Sequence, residues 1–308
     1  MELRLNEIQQ QIVDSIDRIV DRAGGTAHLV KVVDESGFDR AMFDELAQAG
    51  FLGLALDLSP LDATIATERL AYHGAYVPMG ATALVYPMVT GKAAAGPVAL
   101  APGDDGAIFR YGQNAKHILI DDGDEALLLD VADGDVTVVD NDRAGTPLAR
   151  LAGNAKGRAT SLGAGSGDKL RQWWRLAIAA EAAGTVRGAL KLTARYLTDR
   201  IQFGRPLATF QTLQHRMSHI AVQSEGAYWL AMEAAARPDS PSHAAIAATR
   251  AIMAARLAFR ETHQMHGAMG FTREYPLHLW SMKLPALQQE LGGATGHARA
   301  VTAERWAA

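Results

Sequence analysis

The chain has 308 residues, 48% of them hydrophobic, and a formal charge of −4. That length supports a sizeable core divided over two or three domain-sized units, and without a dense basic block it argues against a nucleic-acid partner. There is no cysteine, which excludes a disulfide framework, a thiolate metal site and a cysteine nucleophile. No apolar run reaches the ~18 residues of a membrane span, and the polar start Met1-Glu2-Leu3-Arg4 lacks a signal core. The expectation is a soluble, cytoplasmic protein.

Residues 1–95 read as a helical domain. Ile8, Ile12, Ile16 and Ile19 recur at helical spacing with charges between them, an amphipathic helix. Further helices are predicted over 39–49, stopped by Gly50, and over 63–73. Across 96–166 the pattern changes to short apolar runs broken by Asp and Gly. Strands are predicted at 118–120, 126–129 and 136–139, with turns at 121–124 and 133–135. Residues 153–167 are rich in Gly, Ala and Ser without a period and read as a linker. From 167 to 308 the chain is helical again, with helices over 168–200, 210–236, 243–266 (capped by Ser242) and 276–291. Together they predict a four-helix bundle. The fold class is mainly α with a small β-domain.

Two bundle segments are more specific than periodicity. One is Arg200-Ile201-Gln202-Phe203-Gly204-Arg205-Pro206-Leu207, followed by Phe210-Gln211. The other is Gln264-Met265-His266-Gly267-Ala268-Met269-Gly270-Phe271, followed by Glu274-Tyr275-Pro276. In order and separation they resemble the C-terminal half of the acyl-CoA dehydrogenase family, with its R-x-Q-F-G-x-x-[LI]…F-Q and Q-x-x-G-G-x-G-[FY]…E-Y-P motifs. Ala268 stands in place of the second glycine. The resemblance implies an N-terminal helical domain, a middle β-domain, a C-terminal bundle and FAD as cofactor. It also implies that Arg200, Gln202, Phe203, Gln211, Gln264, His266, Gly267 and Ala268 contact an FAD held mainly by a neighbouring subunit. The chemistry agrees: the arginine fork suits a pyrophosphate, the glutamines offer amide donors, and glycine lets backbone come close. Taken singly, Arg200 would be a solvated helix-end charge, and Phe203 and Phe210 core residues.

Acyl-CoA dehydrogenation needs a carboxylate that takes the α-proton while the flavin takes the β-hydride. The family places that glutamate at one of two sequence positions. Here the first falls on Gly292, within Leu291-Gly292-Gly293-Ala294-Thr295, and the second on Trp174, followed by Arg175, twenty-six residues before Arg200. Neither can be a base, so no catalytic residue is assigned. Trp174 is expected to fill part of an acyl pocket, or to serve with Trp173 in the core or an interface. Glu181, two turns after Trp174, and Glu290, on a different side of its predicted helix from Gly292, read as helix-surface or bundle-polar residues rather than as substitute bases.

The middle region is also shorter than the family's and lacks its C-x-T-E-P-x-x-G-S-D-type flavin loop. Arg110-Tyr111-Gly112 and Ala115-Lys116-His117-Ile118 occupy the space instead. This combination resembles the reduced subunit of actinobacterial α2β2 acyl-CoA dehydrogenases that act on steroid side-chain CoA thioesters. A related partner subunit, with acyl-CoA bound in the complex, is what that resemblance implies. A self-sufficient flavoenzyme with a displaced base and a flavin-free structural protein are the alternatives. His263 and His266 are three apart but lack a carboxylate motif, and no metal site is expected. His215 and His266 read as structural or FAD-proximal.

Overall fold

The computed structural model describes residues 4–104, 106–140 and 145–306. Helix α1 (Glu7–Ala23) opens with a capping box: Asn6 accepts from the Gln9 amide and the Gln9 side chain accepts from the Asn6 amide. Its buried stripe holds Ile12, Ile16 and Ile19, but Ile8 is 50% exposed. The first turn is oriented by the cap, so the stripe starts one turn later than the isoleucine spacing predicts. Helices α2 (Gly25–Glu35), α3 (Arg40–Gln48), α4 (Leu54–Asp57) and α5 (Pro60–His73) follow. Asp39 caps α3, and Ser59 caps α5 with Pro60 in its first turn. A π-helical turn, Gly80–Val85, leads into α6 (Tyr86–Thr90).

The middle region holds β1 (Val98–Pro102), β2 (Phe109–Arg110), β3 (His117–Asp122), β4 (Glu125–Asp130), β5 (Val136–Val139) and β6 (Leu148–Leu151). The short helix α7 (Ala155–Arg158) and β7 (Thr160–Ala164) complete it. One sheet has the order β1-β3-β4-β7 and another β2-β6-β5. The β1–β3 pair is parallel, while β3–β4 and β4–β7 are antiparallel. Residues 153–167 are therefore not a linker: they contain α7 and β7. Strand β7 is an edge strand with mostly exposed side chains. Backbone hydrogen bonds to β4 hold it, so its side chains carry no apolar alternation to read.

Helix α8 (Ser166–Asp199) runs into a hairpin of β8 (Ile201–Gln202) and β9 (Arg205–Pro206), followed by α9 (Gln211–Ala236) and α10 (Pro241–His266). Proline occupies the first position of α10 and Ser240 stands at the cap, so Ser242 is buried inside the first turn rather than capping it. The helix predicted over 276–291 is broken. It consists of α11 (His278–Ser281), α12 (Lys283–Leu287) and a 3₁₀ turn, Glu290–Gly292. Leu291, Gly292 and Gly293 all have positive φ, which ends any α-helix there. The fourth bundle helix is instead α13 (Gly293–Trp306), packed on α10.

The N-terminal helices do not have a core of their own. Ile16, Phe43 and Leu70 share one apolar cluster with Trp174, Ala183 and Ile252 of the bundle. Helix α8 approaches α5 across glycines. A Cβ at Gly184 would run into the Glu68 carbonyl, and one at Gly188 into Trp280 and the Tyr72 carbonyl. Trp280 Nε1 donates to that carbonyl at 2.9 Å, and Tyr76 Oη donates to the Leu279 carbonyl at 3.0 Å. These bonds fix the broken 278–292 segment against the N-terminal helices.

Candidate functional site

A cavity of about 700 Å³ lies where the β2 region, α8, the π-helical turn and the broken 281–291 segment meet. Its wall is mainly apolar, with Leu100, Phe109, Ile178, Met282 and Leu291 among the lining side chains. Arg110 crosses it from β2. Its two Nη atoms donate to the Glu181 carboxylate at 2.7 and 3.0 Å, and its Nε donates to Glu290 Oε1 at 2.7 Å. Trp174 Nε1 donates to Glu290 Oε2 at 2.6 Å. Burial pushes Glu181 up, but the charge and hydrogen bonds of Arg110 outweigh it and hold the carboxyl below its ordinary range. Burial works against the charge on Arg110, and the two glutamates reverse that and keep it protonated. A general base works best with a pKa near the operating pH. Glu181, chelated by arginine and held ionised, is far from that condition.

Lys283 is buried beside this cluster. Its Nζ donates to the Ala75 carbonyl and lies 4.0 Å from the Tyr76 ring centroid. Burial lowers its pKa to about 7, with Glu181 opposing and Arg110 adding to the shift. Tyr111 is also buried, and desolvation pushes its phenol well up, reinforced by Glu181.

Of the two positions where a base was sought, Trp174 is buried on the cavity wall. Gly292 has a φ of +77° and open space where a Cβ would point. Of the two readings, helix-surface or bundle-polar, the first does not hold for Glu181 and Glu290: both line the cavity and bind Arg110. The break at Leu291 removes the regular helix on which the expected direction of Glu290 rested, and Arg110 draws both carboxylates into the cavity. Sequence reasoning also missed Arg110 and Tyr111. The only signal was an arginine and a tyrosine inside a run of short apolar segments.

The FAD-motif residues lie elsewhere, where the C-terminal ends of α8 and α10 meet. Tyr196, one turn before Arg200, stacks on His266 with ring centroids 4.3 Å apart, and donates to the His266 carbonyl at 3.3 Å. Leu197, Leu207, Leu213 and Met265 pack together beneath. Arg200, Gln202, Phe203, Gln211, Gln264, Gly267 and Ala268 are all exposed. His266 is not: it is buried, with Nδ1 on the Thr262 carbonyl and Nε2 unpartnered among the described residues. The structure thus keeps its ring under the motif rather than at the exposed edge.

The β8–β9 hairpin turns through Phe203 (φ 55°) and Gly204 (φ 79°), a type I′-like geometry that is costly for phenylalanine. The Phe203 side chain is 87% exposed, contrary to a core placement. Phe210 carries Arg205 over its face, 4.1 Å from the centroid. Neither Arg200 nor Arg205 has a carboxylate partner among the described residues. Two uncompensated guanidiniums, amide donors and a glycine at Gly267 with φ 59° and ψ −138° fit the phosphate-bearing part of a dinucleotide. Among the described residues no group of three or more His, Asp or Glu is arranged to hold a metal ion, and no helix is long and apolar enough to cross a membrane.

Comparison with known proteins bears on the family and the fold. Residues 170–306 match the acyl-CoA dehydrogenase C-terminal domain. The acyl-CoA dehydrogenase IpdE2 of Mycolicibacterium smegmatis is 36% identical over 155 residues, 50% of this chain and 49% of that protein. The match therefore spans about half the length of the relative. Among solved structures, the ChsE4–ChsE5 complex from Mycobacterium tuberculosis superposes with a TM-score of 0.82 at 22% identity, covering 99% of this chain and 98% of that one. The Tcur3481–Tcur3483 steroid ACAD superposes with a TM-score of 0.83 at 24% identity, covering 96% of each. Residues 170–306 thus match the acyl-CoA dehydrogenase C-terminal domain, and the chain as a whole has the acyl-CoA dehydrogenase fold.

Proposed function

We propose that this chain is one subunit of an FAD-dependent acyl-CoA dehydrogenase, a cytoplasmic hetero-oligomer, α2β2, with a related subunit. It completes the partner's FAD site and supplies no catalytic base. The observation that carries this reading is the pairing of an exposed, charge-uncompensated motif edge with a cavity whose carboxylates are tied up by hydrogen bonds from Arg110 and Trp174. Two structural neighbours are themselves complexes of two named subunits, which supports a heteromeric partner. One is described as a steroid ACAD, which supports steroid-type CoA thioesters as the substrate class.

When bound, FAD supplies hydride acceptance from the acyl β-carbon. This chain's residues bind and orient. Arg200 offers a planar fork to a pyrophosphate, and Gln211 and Gln264 offer amide donors. Gly267 lets backbone approach closely, and exposed Phe203 packs against the other subunit. A self-sufficient enzyme would need Glu181 or Glu290 as base, and the bonds from Arg110 and Trp174 weigh against both.

The test is the absorbance of the purified chain, alone and co-expressed with a related genomic neighbour. A flavin spectrum in the complex alone is expected. A yellow isolated chain would favour the self-sufficient enzyme, and a colourless complex the flavin-free structural protein. Within the complex, Arg200→Ala removes a charge-assisted phosphate contact and should weaken FAD retention about ten- to a hundredfold. Unchanged occupancy at limiting FAD would remove Arg200 from the site.

A further inference from the structure

We infer that the groove where α8, α9 and the end of α5 meet is a binding site for a small organic monoanion, a carboxylate on a short apolar body, held by Lys191 and Arg187. The groove shares no lining residue with the Arg110 cavity and includes none of the FAD-motif residues. The inference therefore does not rest on the subunit reading.

The groove has a volume of about 450 Å³, within the range of small-molecule sites. Leu190 and Ala194 of α8 and Met217 and Ala221 of α9 supply an apolar wall, and Tyr72 joins it from α5. An apolar body has a place to lie here that a bare inorganic ion would not fill.

Cations crowd the Tyr72 ring. Arg69, Arg187 and Lys191 lie 4.6, 5.8 and 5.2 Å from its centroid. Like charges so close repel unless anions accompany them. Arg69 has Asp17, bound through two nitrogens, and Arg187 has Glu68 at 2.6 Å. Lys191 has no carboxylate partner among the described residues.

Arg187 is set to share the load. Its guanidinium lies over Tyr228, 4.4 Å from the centroid, and one nitrogen is spent on Glu68. Glu225 comes within 3.8 Å of its Nε, too far for a hydrogen bond. This exposed carboxylate approaches the edge that a ligand carboxylate would bind more closely. Among the described residues it is the only carboxylate on the groove wall. One unpaired ammonium matches one negative charge, and Glu225 repels a second.

A separate observation is a buried donor without a partner. Ser224 lines the groove at 1% exposure, and its hydroxyl bonds nothing among the described residues. Thr185, Thr193 and Thr262, also buried in bundle helices, bond the carbonyl four residues back. Ser224 does not. Buried polar groups are seldom left unpaired, and this hydroxyl is free to turn its proton to an anion seated in the groove.

The experiment is calorimetric titration of the full chain at constant ionic strength with three probes: benzoate, benzamide, which keeps the shape without the charge, and inorganic phosphate. Saturable benzoate binding is expected, with the other two at least about tenfold weaker. Photolysed 4-azidobenzoate, competed by benzoate, should label peptides carrying Leu190 or Met217. Lys191→Met removes the charge at similar length and should weaken benzoate about tenfold. Glu225→Gln removes the competing charge and should tighten it. Ser224→Ala should weaken benzoate without lowering the denaturation midpoint, because the hydroxyl bonds nothing in the free protein. No saturable binding, benzamide or phosphate bound as tightly as benzoate, labelling elsewhere, or unchanged affinity in Lys191→Met would overturn the site. Equal or weaker binding in Glu225→Gln would overturn the charge reading, and unchanged binding in Ser224→Ala the donor role. None of these outcomes touches FAD occupancy, so failure here and failure of the subunit reading are read separately.

Discussion

Lys283 shows how one residue can set a pH dependence for the whole chain. It is 1% exposed, and burial lowers its pKa from 10.5 to about 7. Between those values the unfolded chain holds a proton that the folded chain has lost. Stability therefore rises with pH across this window and falls as pH drops toward 7. From pH 9 to pH 7 the loss is on the order of 2 kcal/mol. Lys283→Met removes the titrating group at similar length, although it also gives up the bond to the Ala75 carbonyl. The expected result in urea denaturation is that the stability difference between variant and parent shifts in the variant's favour by about that amount on going from pH 9 to pH 7. A pH-independent difference would show that Lys283 titrates normally. No sequence pattern reveals such a residue, because its burial depends on Tyr76 and Ala75 arriving from two hundred residues away.

At the scale of elements, sequence patterns worked where side chains do the packing and failed where backbone does. The end of α5 and the approximate extents of α8, α9 and α10 were legible from apolar spacing and punctuation, as were β3, β4 and β5, whereas β1 and β2 were not. Strand β7 was not, because ladder bonds rather than its Gly, Ala and Ser side chains hold it. The last predicted helix failed for a related reason: Leu291, Gly292 and Gly293 adopt positive φ, and the turn sequence looked like a helix end rather than a break before another helix. The close approach of α8 to α5 was equally hidden, and it can be tested. Gly188→Ala raises helix propensity by up to about 1 kcal/mol. The new methyl would also run into Trp280 and the Tyr72 carbonyl. Overpacking costs about 1–3 kcal/mol and loss of the Trp280 bond about another 1. The collision should win, with a net destabilisation of roughly 1–3 kcal/mol in chemical denaturation. A neutral or stabilised variant would mean that the two helices part easily.

For the whole molecule, the resemblance proposes the motif edge and two base positions that hold Gly292 and Trp174, while the content of the cavity was out of reach of the sequence. Arg110, Glu181 and Glu290 are 71 and 180 residues apart along the chain, counted from Arg110, and only the fold joins them. Their union decides what the isolated chain can do. Trp174 and Gly292 cannot accept a proton, and the two carboxylates in reach are bound by arginine and indole donors. General-base catalysis typically contributes ~10²–10⁴-fold, so the chain alone should show no acyl-CoA dehydrogenase turnover even with excess FAD. In the complex, activity should depend on a glutamate of the other subunit. Glu181→Gln and Glu290→Gln, compared at equal FAD occupancy and after confirming folding, should retain turnover. Gly292→Glu has room for a side chain, but at φ +77° it meets a strained backbone and a chain that lacks the family's flavin loop, so it should not create activity in the isolated chain. Robust turnover by the chain alone, or its abolition in the complex by either Gln substitution with FAD still bound, would instead make this chain the enzyme and its Arg110-held carboxylates the catalytic machinery.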